Sequence, residues 1–515
     1  MTTLRLKYAI ATTLLLSSIA AGAAQAQATD ESQQLEEMRQ QIEKLQRQMQ
    51  ELQAQQQARA TQSAQVLPSA TVATAETRVT SDQPSFSAGP LTMTLGGFAD
   101  FIGVYRNRFE AADAATNFNT GIPFPNSLQY HVSEFHLTAR QSRFSLLTQG
   151  PQEGDGTAEA YLEIDFQSAA PTANSVESNS YNPRLRHYYA TYRRQRAGFY
   201  MLAGQTYSLA TLGRKSLAPR QEQLPSSIDG QYVVGFNWTR NPQLRFVQEL
   251  GKTATLGLSL ENPQASIFNG PNNPLVPTLT SVPGGFMLAP TTNYSTDVAP
   301  DVIAKIAWDP GFGHYELYGL SRAFRDRAAQ ENHTIYGGGL GIGMILPLSP
   351  QLDFQLSGLS GRGIGRYGSA LLPDVTLRPD GQLATIDAYQ ALVGLVYRPT
   401  PAWTLYGYAG IEDADSRHFT ATVGDTTLAY GYGSPLYDNS GCLIEGSTVC
   451  AANTSRVEQG TLGAWWKYYE GKLGNLQVGL QGSYTKRTAF DGVGGSPDTS
   501  LTTFLLSFRF YPYQN

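Results

Sequence analysis

The chain has 515 residues, 41% hydrophobic and 15% charged, with 50 glycines, 28 tyrosines and two cysteines. A formal net charge of -5 leaves no basic footprint for nucleic acid, and so mild an acidity does not signal disorder. Low charge with abundant Gly and Tyr is unlike a cytosolic enzyme and suits a membrane barrel with an aromatic belt.

At the start, Arg5 and Lys7 precede an apolar stretch from Tyr8 to Ala20, and the small-residue pattern Ala24-Gln25-Ala26 follows. This predicts a cleavable secretory signal over residues 1–26. No later run of about 18 apolar residues supplies a transmembrane helix. Export followed by a β-rich chain points to the outer membrane, the periplasm or the medium.

Residues 27–60 carry Leu35, Met38, Ile42, Leu45, Met49 and Leu52 at alternating spacings of three and four, between Gln, Glu, Lys and Arg. That is the a/d seam of a short left-handed coiled coil, or the stripe of a lone amphipathic helix. So short a coil is marginal alone and needs an already oligomeric body to raise its effective concentration. From Gln53 to Pro90 the chain is rich in Gln, Ala, Ser and Thr without a sustained period, so residues 61–90 are expected to form a flexible linker.

Over 91–515 the period changes to two. Ala158, Ala160, Leu162, Ile164 and Phe166 alternate with Thr157, Glu159, Tyr161, Glu163 and Asp165. Ala254, Leu256, Leu258 and Leu260 alternate with Thr255, Gly257, Ser259 and Glu261, and Leu476, Val478, Leu480 and Tyr484 are set against Asn475, Gln477, Gln481, Ser483, Thr485 and Arg487. A soluble sandwich also alternates, but the connections here switch between tight turns and long polar excursions. Tight turns fall near Arg194 to Ala197, Gly251-Lys252, Asp309 to Gly313, Pro347 to Pro350, Pro399 to Pro401 and Glu470 to Gly474. Long ones span about Ala111 to His131, Gln167 to Pro183, Leu209 to Gly230, Asn262 to Pro300, Gly363 to Ala384 and Asp413 to Ser455. Outer-membrane barrels separate inner turns from outer loops in this way.

Strand starts near Thr92, Ser133, Thr157, Arg184, Ala197, Val234, Thr253, Asp301, His314, Thr334, Gln351, Thr385, Ala402, Arg456, Gly474 and Leu501 give sixteen strands, the even number that closure requires. The count closes only if Val234 to Leu250 is one strand despite Pro242. The predicted fold is all-β: a 16-stranded antiparallel transmembrane barrel with an aqueous lumen, behind an N-terminal coiled coil. The last strand places Phe504, Leu506, Phe508 and Phe510 on one face.

Glycines 337, 338, 339, 341 and 343 could pass for a nucleotide loop, but no helix or acidic follow-on completes it. They predict a strand with a small-residue inside and an apolar outside made by Tyr336, Leu340, Ile342, Met344 and Leu346. No nucleophile elbow and no zinc HExxH motif is found, and His131 and His136, which flank Glu134, fall on opposite faces of any strand. No metal and no cofactor is called for. Cys442 and Cys450, eight positions apart, are expected to form one disulfide in an outer loop.

The barrel segments resemble the DcaP-like trimeric porins and, more distantly, the phosphate-selective porins O and P. The likeness is carried by Ser142-Arg143-Phe144, Pro183-Arg184-Leu185-Arg186-His187, Gly204-Gln205-Thr206, and Arg240-Asn241-Pro242-Gln243-Leu244-Arg245-Phe246 leading to Leu260-Glu261-Asn262-Pro263. It spans most of the chain from residue 30, although from about Gly363 only general barrel character matches. The resemblance implies a homotrimer in outer-membrane lipid and lipopolysaccharide, with its coil in the periplasm, passing small anionic solutes such as dicarboxylates. It also implies a third outer loop folded into the lumen, placing Arg214, Lys215, Arg220, Glu222 and Asp229 at a constriction.

Face assignment puts Arg184 and Arg186 together, with Arg245, Lys305, Arg322, Arg487 and Arg509 also lumenal. Arg140 and Arg143 share a face only if a bulge at Gln141-Ser142 turns both inward. These cations could line a path for carboxylates, with Arg184, Arg186 and Arg245 meeting the solute, or could join Glu159, Glu163 and Asp165 in a structural network. Three classes stay open: a diffusion porin, an envelope tether whose coil binds peptidoglycan, and an outer-membrane hydrolase with scattered catalytic residues. The porin is the preferred reading, with no enzymatic activity.

Overall fold

The computed structural model describes residues 77–80, 83–168, 182–272, 294–295 and 298–512. The chain divides into two units, Met1–Ala75 and Glu76–Asn515, and the described residues belong to the second. The expected signal, the coiled coil and the first part of the linker lie outside them.

Sixteen antiparallel strands close into a barrel. They are β1 (Leu91–Arg106), β2 in two pieces (Glu134–Thr138 and Arg143–Gln149), β3 (Gly156–Ser168) and β4 (Asn182–Arg194). There follow β5 (Phe199–Tyr207), β6 (Arg240–Leu250), β7 (Ala254–Glu261), β8 (Asp301–Trp308), β9 (His314–Asp326) and β10 (His333–Ser349). The circuit is completed by β11 (Leu352–Arg362), β12 (Asp387–Thr400), β13 (Trp403–Ala414), β14 (Thr454–Gly471), β15 (Gly474–Ala489) and β16 (Asp498–Tyr511). Closure is direct, since β16 pairs with β1 from Phe510↔Ala99 to Thr503↔Arg106. Every strand therefore has two neighbours, and backbone polar groups facing hydrocarbon are satisfied within the sheet.

The period-2 pattern resolves into two solvents. Leu256, Leu258, Ile306, Leu317, Leu340, Leu480, Phe504, Leu506 and Phe508 are exposed on the outer surface, whereas Thr255, Ser259, Glu261, Gln481, Ser483 and Thr485 are buried on the inside. Such an inversion, apolar out and polar in, suits lipid on one side and a polar lumen on the other. The glycine-rich strand β10 follows the same rule: Tyr336 and Leu340 point out, and a Cβ added at Gly341 would lie 2.0 Å from Cζ of Tyr318, whose ring covers that position.

Two expectations change. The stretch expected as linker to residue 90 ends in strand, because Gln83–Ala88 pairs with both Thr77–Thr80 and the start of β1. Strand β6 begins at Arg240 rather than Val234, with Pro242 exposed on its outer face, and 234–239 belongs to the third loop. The count of sixteen survives, because that run contributes one strand either way. The expected bulge in β2 is present. On β1 the partners Ile102 and Phe98 are four residues apart, while opposite them Thr138 and Arg143 are five apart, so one extra residue is absorbed at the break.

Candidate permeation chamber

The third outer loop, residues 208–239, enters the barrel and crosses it. Inward side chains of the wall accept its backbone N–H groups in sequence: Glu261 from Leu209 at 2.8 Å, Glu316 from Gly213 at 3.0 Å, Gln481 from Ile228 at 2.7 Å and Gln459 from Val234 at 3.1 Å. At its far end the loop backbone rests on β12 and β13 so closely that a Cβ at Gly410 would lie 1.7 Å from the Val234 carbonyl oxygen. Gly235, in the left-handed region with φ +83, has the Ala391 carbonyl oxygen where a Cβ would stand. Loop 363–386 comes in beside it, with Trp238 N–H donating to the Tyr367 carbonyl at 2.9 Å. Leu209, Leu217, Ile228, Val233, Phe236, Ile364 and Tyr367 pack against inward Tyr200, Tyr318, Tyr406 and Tyr408. The open aqueous lumen inferred from strand number is thus narrowed, at this level, by packed loop.

Between the underside of the third loop and the tight-turn end of the barrel lies a chamber of about 600 Å³. Arg143, Arg214, Arg398 and Arg509 reach it, along with Asp353, Gln223, Gln477, Ser226 and Ser227. Arg509 is oriented by Asp100, at 2.6 Å, and its guanidinium lies against Phe98 and Trp465. Arg143 lies over Phe98 and sits 3.8 Å from Glu163, and Arg398 pairs with Asp353 at 2.6 Å. Arg214 is exposed and makes no ion pair among the described residues.

The other cations predicted to be lumenal all point inward, but carboxylates and carbonyls engage most of them. Arg184 forks onto Asp165 at 2.9 and 2.7 Å and also reaches Gln167. Arg186 donates to Glu163 at 2.5 Å, to Asp165 at 2.9 Å and to the Tyr207 hydroxyl at 3.0 Å, and only 1% of its surface is exposed. Its inward direction comes from a register shift: Glu163 faces His187 and Ile164 faces Leu185, which leaves Arg186 as the extra residue of β4. Lys305 is locked on Glu316 at 2.6 Å, and Arg322 on Asp301 at 3.1 Å and Asp374 at 2.9 Å. Arg245 is buried and bonds to Gln243 and the Tyr207 carbonyl. Arg140 reaches Asp113 at 3.1 Å and the Phe166 carbonyl.

Of the loop residues, Lys215 and Arg220 are exposed, and Arg220 pairs with Glu159 at 3.4 Å. Glu222 is half-buried and Asp229 is buried beside Gln481 at 3.4 Å. Cys442 and Cys450 are bonded to one another in the loop after β13, on the long-loop side. His131 and His136 do not converge, and among the described residues no group of His, Cys, Asp and Glu could hold a metal ion. Sequence reasoning missed Arg398 and Asp353, because they stand beside segments read only as tight turns. It also missed Glu412, which accepts the N–H groups of Gly235 and Ala370, because no strand pattern locates those loops.

A closed sixteen-stranded barrel, apolar outside and polar inside, with an inserted loop above a basic chamber, has the architecture of a membrane-spanning channel. No family model matches the chain, and no curated protein does. Among solved structures, the outer membrane channel DcaP of Acinetobacter baumannii matches with a TM-score of 0.57 and 19% identity, over 82% of this chain and 99% of that one. The anion-selective porin from Comamonas acidovorans matches at 0.44 and 11%, over 82% and 99%. OmpT, an outer membrane protein of Vibrio cholerae, matches at 0.44 and 9%, over 82% and 98%. The likeness to DcaP is one of fold, and it agrees with the resemblance carried by the short motifs.

Proposed function

We propose that this chain is an outer-membrane porin through which small hydrophilic anions, dicarboxylates among them, diffuse passively. The observation that carries this reading is the lining of the chamber: four arginines reach it, and Asp353 is the one carboxylate among its lining residues, with Asp100 and Glu163 set behind Arg509 and Arg143. The whole chain is net negative, so its overall field does not attract anions. A preference must arise locally, where low-dielectric walls strengthen each charge. Arg214, with no ion pair among the described residues, can meet one carboxylate group, while Arg143 and Arg509, held beside aromatic rings, offer a second contact. The third loop and loop 363–386 set the size limit. The functional unit in this reading is a homotrimer in lipid and lipopolysaccharide, with residues 27–60 forming a coiled coil in the periplasm.

The test is conductance of the purified protein in planar bilayers. Ohmic steps and a reversal potential displaced toward anions in a salt gradient are expected, as is faster liposome entry of succinate than of its monomethyl amide. A barrel that does not conduct, or cation preference, would overturn the proposal.

A further inference from the structure

A second cavity, of about 500 Å³, opens on the long-loop side of the barrel, away from the chamber. Loop 107–133 forms one wall, the disulfide-bearing loop 415–453 another, and Arg487 of β15 projects into it. Arg487 donates Nε to the Thr454 hydroxyl at 2.7 Å and Nη1 to the Ile122 carbonyl at 2.8 Å, and its guanidinium lies 4.5 Å from the centre of the Phe124 ring. It is only 6% exposed, and no carboxylate pairs with it among the described residues. Among the described residues its second amino nitrogen, Nη2, has no protein acceptor. A buried guanidinium without a counter-charge is costly, and an anion entering the cavity would relieve that cost.

The rest of the lining narrows the class of anion. Phe109 and Ala452 present apolar surface, whereas Glu110, already paired with Arg106 at 3.2 Å, opposes a second negative charge. The two walls are joined by Asn126, which donates to the Cys442 carbonyl at 2.9 Å and the Ser447 carbonyl at 3.1 Å and accepts from Gly446 N–H at 3.0 Å. The Cys442–Cys450 bond closes that segment and places Cys450 on the cavity surface. The lining is mixed, with Thr120, Asn126, Ser127 and Gln129 beside Phe109, Phe124 and Ala452, and a cavity of this size with a few placed polar groups around a buried cation suits a small-molecule site.

We propose that this outer pocket binds a small organic monocarboxylate, its carboxylate on Arg487 and its apolar body against Phe109 and Ala452, with the disulfide fixing the shape of the wall that Asn126 ties to loop 107–133. The site does not depend on the permeation reading. Benzoate is the probe, titrated by calorimetry into the oxidised, detergent-solubilised full chain, with benzyl alcohol as the neutral control. Saturable benzoate binding is expected, at least roughly tenfold tighter than benzyl alcohol, since hydrogen bonds between charged groups are stronger than those to a neutral hydroxyl. Arg487→Gln should abolish it, and so should Ala452→Phe, which fills the cavity and leaves Arg487 in place. Replacing both cysteines by Ser should weaken binding several-fold. Benzoate that does not saturate the wild type, that is matched by benzyl alcohol, or that binds Ala452→Phe undiminished overturns the site. Undiminished affinity in the cysteine-free chain overturns the role of the disulfide. Bilayer conductance of each variant, measured in parallel, separates a lost pocket from a lost barrel.

Discussion

Glu412 on the wall strand β13 accepts the backbone N–H of Gly235 at 2.8 Å, and the same carboxylate takes the N–H of Ala370 at 3.0 Å on both oxygens. One buried side chain thereby ties the tip of the third loop and loop 363–386 to the same point of the barrel. Glu412→Ala would leave two amides without acceptors, at about 1–3 kcal/mol each, with no loss to the strand ladder. The expected outcome is a folded barrel whose single-channel conductance is larger and noisier than the wild type's. Unchanged conductance and noise would mean that the other wall contacts suffice to hold both loops.

The outer loop 107–133 carries its own pH dependence. Burial pushes the Glu110 carboxyl up from 4.5 to about 7, against the opposing pull of Arg106. The folded loop therefore binds a proton more readily than the unfolded one. Local stability is full at pH values below about 4.5, declines as pH rises through the window up to about 7, and levels off above it. The whole effect is at most roughly 3 kcal/mol. Amide exchange at Asn117, whose N–H donates to Glu110, should be faster at pH 8 than at pH 5.5 after correction for intrinsic rates. Glu110→Gln should remove the difference, and a difference that persists in that variant would assign it to another group.

The barrel was legible in the sequence because its signal is repeated: many strands alternate, and most pairs of strands are bounded by one short and one long connection, although β9 and β10 are joined by only 327–332. Runs such as 254–261 and 475–487 have the faces their alternation predicts, and Cys442 and Cys450 are paired where proximity suggested. Illegible were features set by contacts across the lumen. Alternation places Arg186 and Arg509 on the same inner surface, but it does not reveal that Arg186 is enclosed by Glu163, Asp165 and Tyr207 while Arg509 faces open space. Val234 looked like the start of a strand because loop residues packed inside a barrel are as apolar as strand residues. Its partners, Gln459 and Gly410, lie more than a hundred residues away.

Small residues inside β10 make room for a ring, and this is testable. The Tyr318 ring occupies the space a side chain at Gly341 would need, with Cζ only 2.0 Å from an added Cβ. Gly341→Ala should force Tyr318 off its position above Lys305, 5.2 Å from the ring centre. Overpacking of this kind costs about 1–3 kcal/mol. The variant should unfold in SDS at a lower temperature than the wild type. An unchanged melting temperature would show that the ring moves aside freely.

Charge selectivity separates two groups of arginines that the sequence could not tell apart. Arg184 and Arg186 looked like the residues a solute meets, but Arg186 is enclosed and both grip Asp165. Arg186→Gln would break a buried ion-paired network, a change that costs about 3–5 kcal/mol when one partner is removed. It should lower thermal stability markedly and leave the reversal potential nearly unchanged. Arg143→Gln with Arg214→Gln should do the opposite, because Glu163 keeps its contact with Arg186 and Arg214 has no ion pair among the described residues to lose. Succinate flux through the double variant should fall relative to a neutral solute of equal size, and the reversal potential should move toward cations. The shift should shrink in 1 M salt, where the Debye length is about 3 Å. Should Arg186→Gln alter selectivity while Arg143→Gln with Arg214→Gln does not, the solute path runs along β4 rather than through the chamber beneath the third loop.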